Sequence, residues 1–129
     1  MKDLLPEQAY RFLQDTPEAL FVDVRSEAEH LFVGRPVGAI LIQWIDSTSW
    51  EINPDFVAYV KRAAGNTSRP LVLICRSGRR SAEAGQMLES HGFTEIYNVL
   101  HGFEGELDER HHRGAINGWR HDGLPWVQA

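Results

Sequence analysis

Apolar and polar residues alternate along the chain in two rhythms, one helical and one strand-like, separated by Pro, Gly and Asn. Pro6 opens "PEQAYRFLQD", where Ala9, Tyr10 and Leu13 recur at helical spacing until Thr16-Pro17 ends the run. "ALFVDVR" then reads as a buried strand from Ala19 to Val24, with Asp23 and Arg25 at its carboxyl end. "SEAEHLF" predicts a short helix with Ser26 as N-cap and Glu29 as its capping-box partner. "GAILIQW" predicts another short strand. "NPDFVAYVKRAAG" places Asn53 at the N-cap and Pro54 at the first helical position, carries Phe56, Val57, Val60 and Ala64 on one face, and stops at Gly65. "PLVLIC" has no polar alternation, the mark of a strand covered on both faces in a parallel sheet. The helix "RRSAEAGQMLESHG" follows, with Ala84, Met87, Leu88 and His91 on one stripe, and "EIYNVL" is the next strand.

This β-α-β-α order with short connections predicts an α/β fold with a mostly parallel sheet. Beyond Gly102 the rhythm fades. The segment is polar and glycine-rich, with Phe103, Trp119, Leu124 and Trp126 as apolar anchors. The expectation is a tail of about residues 103–129 wrapped over one domain that spans 1–129, because the segment has no core of its own. At 129 residues and 43% hydrophobic content the chain is the size of one domain. Its apolar runs are far shorter than the ~20 residues that cross a bilayer. No secretory signal is visible at the N-terminus, so the expected setting is the cytoplasm, without a membrane partner. A net charge of −5 argues against general nucleic-acid binding.

Charge changes the picture at one place. The only cysteine, Cys75, closes the apolar strand and is followed by Arg76, Ser77, Gly78, Arg79, Arg80 and Ser81. In parallel α/β sheets reactive groups gather at the carboxyl ends of the strands, where both Arg25 and Cys75 stand. A loop whose N–H groups curl inward, backed by the amino end of a helix, binds anions. Such a loop stabilises a thiolate, an oxyanion substrate or a charged, substituted sulfur; Gly78 permits the tight curl. Ser81 has two candidate roles of equal weight, capping the helix or bonding to the sulfur. A buried, inert cysteine is the ordinary alternative, but three arginines within five residues of the thiol tilt the reading toward chemistry.

The motifs together resemble the rhodanese family of single-domain sulfurtransferases over nearly the whole chain. They are "FVDVR" followed by "SEAEH", then "GRPVGAILI", and then "LVLICRSGRRSAEAGQMLESHGFTEIYNVLHGFEG". The resemblance implies a central, parallel five-stranded sheet with helices on both faces. It implies that Cys75 forms the persulfide, that residues 76–80 cradle it, and that Asp23 and Arg25 are structural residues near the site, with Glu29 as a partner for Arg25. The donor would be thiosulfate or a persulfide, the acceptor a thiol, cyanide or a protein, with no cofactor and no metal. The chain departs from the family at Gly34–Ala39, where "GRPVGA" replaces "GHIPGA", and at His101-Gly102, where the family has two glycines.

Two other classes compete. Related cysteine phosphatases, arsenate-reducing relatives included, hold five residues between Cys and Arg; here four separate Cys75 from Arg80, which suits sulfur rather than phosphate. A non-catalytic carrier or regulatory module on the same fold is the other, since fold does not fix function, although such a module would be expected to lose its nucleophile. His101, His111, His112 and His121 follow no zinc-binding spacing and read as a solvated polar segment of open role, His101 being placed to line the site. Trp119 and Trp126 read as anchors of the tail.

Overall fold

The computed structural model describes residues 1–46 and 48–129. A five-stranded, wholly parallel sheet has the order β1 (Lys2–Leu4), β6 (Ile96–Val99), β5 (Leu71–Ile74), β2 (Leu20–Asp23), β4 (Ile40–Leu41). The helices are α1 (Pro6–Asp15), α2 (Phe56–Ala64) and α3 (Arg79–Ser90). A separate antiparallel pair joins β3 (Arg35–Pro36) to β7 (Trp126–Val127), so the end of the chain is hydrogen-bonded to the segment between β2 and β4.

Strand β5 is buried along its whole length because it lies at the centre and is covered on both sides. Its side chains divide with the pleat. Leu71, Leu73 and Cys75 pack with Phe56, Val60 and Ala64 of α2 and Ala84 and Leu88 of α3. Val72 and Ile74 face the other way, toward Ala9 of α1 and toward Phe103 and Trp119 of the tail. One face is therefore roofed by two helices, and the other by one helix and the tail. Phe103 and Trp119 are buried, with the Trp119 ring 5.3 Å from Phe21 and 6.0 Å from Tyr10. Trp126 remains more than a third exposed; its ring lies edge-on to Phe103 at 5.9 Å and closes over Gly34.

Several expected elements differ in detail. The helix after Ser26 makes its capping box, with the Glu29 N–H donating to Ser26 Oγ and the Ser26 N–H to Glu29 Oε1, each at 3.2 Å. From Glu29 to Val33 it then widens to a π-helical turn, closed by the Gly34 N–H donating to the Glu29 carbonyl at 3.1 Å. Helix α2 begins at Phe56; Asn53 instead forms a turn in which Asp55 N–H donates to its side chain at 3.0 Å. On α3 the buried stripe is Ser81, Ala84, Gly85 and Leu88, while His91 is exposed beyond the last turn. Strand "GAILIQW" pairs as β4 only at Ile40–Leu41, although Ile42 and Trp44 go on donating backbone hydrogen bonds to Asp23 and Val24.

Candidate active site

The seven residues after β5 place Cys75 at the carboxyl end of the central strand and almost completely buried. Its Sγ accepts the Gly78 N–H at 3.0 Å, which is possible because Gly78 takes φ +101°, a conformation that disfavours a side chain. Ser81, inside the first turn of α3, brings Oγ to 3.2 Å from the same sulfur. Of the two roles open to Ser81, this contact selects the sulfur; its hydroxyl does not cap the helix.

The loop is braced from behind. Ser81 Oγ donates to Asn98 Oδ1 at 2.5 Å, and Asn98 Nδ2 donates to the Gly78 carbonyl at 3.1 Å and to Asp3 Oδ1 at 3.2 Å. Asn98 is a buried polar residue in the middle of β6, and sequence reasoning missed it; its signal was one amide in an otherwise apolar strand. The chain after β6 supports the other side. Phe103 N–H donates to the Cys75 carbonyl at 2.8 Å and Glu104 N–H to the Arg76 carbonyl at 3.0 Å. Gly102 lies so close to the Cys75–Arg76 backbone that a Cβ there would collide with it, so at this point only glycine fits.

The three loop arginines take different parts. Arg80 forms a two-pronged pair with Glu29, both N–O distances being 2.8 Å. Burial works against the Glu29 carboxylate, but the Arg80 hydrogen bond and charge, the Ser26 N–H and Arg25 outweigh it and hold Glu29 at about 2. Glu29 in turn raises Arg80 against the opposing effect of burial. The expected Glu29–Arg25 pair is therefore replaced by Glu29–Arg80. Arg25 instead pairs with Asp23, its Nε and Nη2 donating at 2.9 and 2.8 Å, and gives a further bond to the Gly34 carbonyl at 2.6 Å.

Asp23 and Arg25 are both fully buried, and the Arg25 guanidinium lies 4.7 Å above the Phe103 ring. His30 Nδ1 also contacts Asp23 Oδ2 at 2.8 Å. These groups sit beneath the site on the face covered by the tail, and none of the three lines the opening.

Arg76 and Arg79 are exposed on the rim. They border a cleft of about 630 Å³ together with Ser77, Arg80, Glu29 and Arg113. Val33, Ile45 and Trp50 give it an apolar side, Trp50 being 80% exposed at φ +60°. His101, expected near the site, is absent from this lining and faces Glu106 at 3.5 Å. Arg113 was not foreseen, because nothing local in "DERHHRG" indicates which way the segment folds. Among the described residues, no group of three or more His, Cys, Asp or Glu is arranged to hold a metal.

The arrangement agrees with what the chain is similar to. The family model described as "Rhodanese-like domain" matches residues 5–109. Rv0390 from M. tuberculosis, a crystal structure, superposes with a TM-score of 0.88 at 42% identity, covering 100% of this chain and 98% of that one. An uncharacterized protein of Rickettsia conorii is 28% identical over 98% of this chain and 97% of its own length. The thiosulfate sulfurtransferase GlpE of Stutzerimonas stutzeri is 31% identical over 80% of this chain and 82% of its own length. With the matched region running from the start of α1 past the Cys75 loop and β6, the chain belongs to the rhodanese-like domain family.

Proposed function

We propose that the protein is a sulfurtransferase that carries a sulfane sulfur on Cys75. The observation that bears most of this reading is the sulfur itself: the only thiol of the chain, held by an N–H and a hydroxyl at the end of the central strand, beside an arginine-rich cleft. The Cys75 thiolate attacks the outer sulfur of thiosulfate; the S–S bond breaks and sulfite leaves with its electron pair. An acceptor thiolate or cyanide then attacks the outer sulfur of the persulfide, and the Cys75 thiolate departs. The Gly78 N–H and the rim arginines stabilise the negative charge before and after transfer. Similarity to thiosulfate sulfurtransferases supports thiosulfate as donor, with a small persulfide as the other candidate. No second cysteine can receive the sulfur, so a relay continues to a small thiol or to a protein acceptor.

The whole chain, tail included, acts as one unit in this reading, because the tail roofs the buried ion pair. No described helix is long and apolar enough to cross a membrane, and a free thiol suits the reducing cytoplasm. The pairing of Arg80 with Glu29 speaks against phosphatase chemistry, since that guanidinium is not free to grip a phosphoryl group.

Intact-protein mass spectrometry after brief exposure to thiosulfate tests the proposal. The expected result is a gain of one sulfur atom, reversed by cyanide and absent from Cys75→Ser. A gain that persists in Cys75→Ser, or a reactive Cys75 that accepts no sulfur from thiosulfate or a small persulfide, would overturn it.

A further inference from the structure

Residues 105–118 form an Ω-loop whose ends are fastened to each other. Gly105 and Gly118 approach so closely that a Cβ on either would strike the opposing backbone. Beside them the Glu106 N–H donates to Asn117 Oδ1 at 2.8 Å, and Asn117 Nδ2 donates to Glu106 Oε2 at 3.2 Å. The entry to the loop is the same Phe103–Glu104 segment that is bonded to the Cys75 and Arg76 carbonyls, so the loop is anchored to the candidate active site at its base. Arg113 is half-buried in it, with Nη1 donating to the Gly105 carbonyl at 2.8 Å, and it borders the cleft above the cysteine loop.

The charges of that cleft do not balance. It is bordered by Arg76, Arg79, Arg80 and Arg113 against Glu29 and Glu104, and Glu29 is already committed to Arg80. Among the described residues no carboxylate lies within ion-pair distance of Arg76, Arg79 or Arg113. Its volume of about 630 Å³ leaves room for more than a small inorganic anion; roughly 300–1,000 Å³ is typical of sites that enclose an organic molecule. The apolar side made by Val33, Ile45 and Trp50 suits carbon rather than a hydrated anion.

We infer that Arg113 is a specificity-determining residue that binds a carboxylate of the sulfur acceptor, so that the cleft takes a carboxylate-bearing organic thiol in preference to an uncharged one. The inference rests on the sulfur-transfer reading above and names the acceptor class for the same site. Arg113 lies beyond the stretch matched by the family model, which ends at residue 109. A guanidinium suits the role because it meets a carboxylate with two parallel N–H donors. In the transfer step the acceptor, having lost its proton to solvent, attacks the outer sulfur of the Cys75 persulfide. The new S–S bond forms as the old one breaks, Cys75 leaves as thiolate, and the product departs as an organic persulfide anion without net oxidation.

The test compares glutathione, which carries carboxylates, with 2-mercaptoethanol, which does not. It uses the wild-type protein, Arg113→Gln and Arg113→Lys, each first checked for unchanged thermal unfolding. The expected result is that Arg113→Gln raises KM for glutathione about tenfold, the scale of a lost charged hydrogen bond. The loss with glutathione should exceed any change with 2-mercaptoethanol at least about fivefold, and Arg113→Lys should restore part of it. An unchanged KM for glutathione, or an equal loss with both thiols, overturns the inference. Calorimetric binding of unreactive S-methylglutathione separates this from the sulfur-transfer reading. Binding that weakens in Arg113→Gln upholds carboxylate recognition even if no persulfide forms, whereas wild-type protein that transfers sulfur yet does not bind this probe sinks the role of Arg113 alone.

Discussion

The cysteine loop and the C-terminal tail meet at one cleft, but they are built on opposite plans. The loop is local. Within seven consecutive residues it supplies a sulfur, an N–H donor, a hydroxyl and three guanidiniums, and its position follows from one strand ending and one helix beginning. The tail is assembled from distant contacts: Trp119 sits against Tyr10 and Phe21, β7 pairs with β3, and Arg120 donates to the Val33 carbonyl at 3.4 Å. A reactive group needs exact neighbours, and contiguous sequence supplies them with little conformational freedom to lose. A roof needs only area, and a chain with little regular structure can provide it through a few large anchors.

If that division is right, breaking the roof should cost stability before chemistry. Trp119→Ala removes the largest fully buried side chain of the tail face and should lower stability by about 3–5 kcal/mol in chemical denaturation. Cys75 in the fraction that remains folded should still react with alkylators. A loss of less than about 1 kcal/mol would mean that the tail is ornament rather than roof.

Gly118→Ala should cost roughly 2–3 kcal/mol, because φ is +111° and the added Cβ meets the Gly105 backbone. Glutathione kinetics should suffer in this variant while thiosulfate kinetics do not, which would sharpen the assignment of acceptor recognition to the tail. Equal damage to both would show that the two regions are not separable.

The Glu29–Arg80 pair ties the loop to the π-helical turn and offers a test by pH. Because the folded Glu29 lies at about 2, below its ordinary 4.5, its contribution is fully present above about pH 4.5 and disappears as pH falls toward 2. That contribution should be about 1–2 kcal/mol once contact of the pair with solvent is allowed for. Glu29→Gln should flatten the stability profile in that acid window, as followed by urea denaturation at a series of pH values. An unchanged slope would show that the pair is only a surface contact.

The smallest expected effect is at His101, which holds φ +68°, a conformation that favours glycine. His101→Gly should relieve that backbone and raise stability by up to about 1 kcal/mol, visible as a small upward shift in melting temperature. A decrease would show that the contact with Glu106 outweighs the strain.

These two regions also differ in how far the sequence reveals them. Strands β2, β5 and β6 and helices α1 and α3 were legible, because each is long enough for periodicity and breakers to agree. The loop of Cys75 was legible for the same reason that it is local. Strands β1, β3 and β7 were not, since two or three residues carry no rhythm and each is defined by a partner far along the chain. The π-helical turn kept the capping signals of an ordinary helix, and widened only where Gly34 could bond five residues back. The family resemblance implied Glu29 as a partner of Arg25; the pleat instead sends Arg25 under the tail, onto Phe103, and leaves Glu29 facing Arg80. Arg113 and Asn98 depended on folding of the tail and on register across the sheet, respectively, and neither is written in adjacent residues.

The hydroxyl of Ser81 has one proton and two neighbours that could accept it. Asn98 is oriented by the acceptors at its amide nitrogen, so its oxygen faces Ser81 and takes that proton at 2.5 Å. The serine oxygen then offers a lone pair to the sulfur at 3.2 Å, a suitable partner for S–H but a poor one for a sulfur anion. In the sulfur transfer proposed above, rotation about a single C–O bond would turn that proton from the amide to a charged sulfur. The buried wall behind Cys75 thus contains a hydroxyl with an acceptor on each side, both within reach of one proton without movement of the backbone.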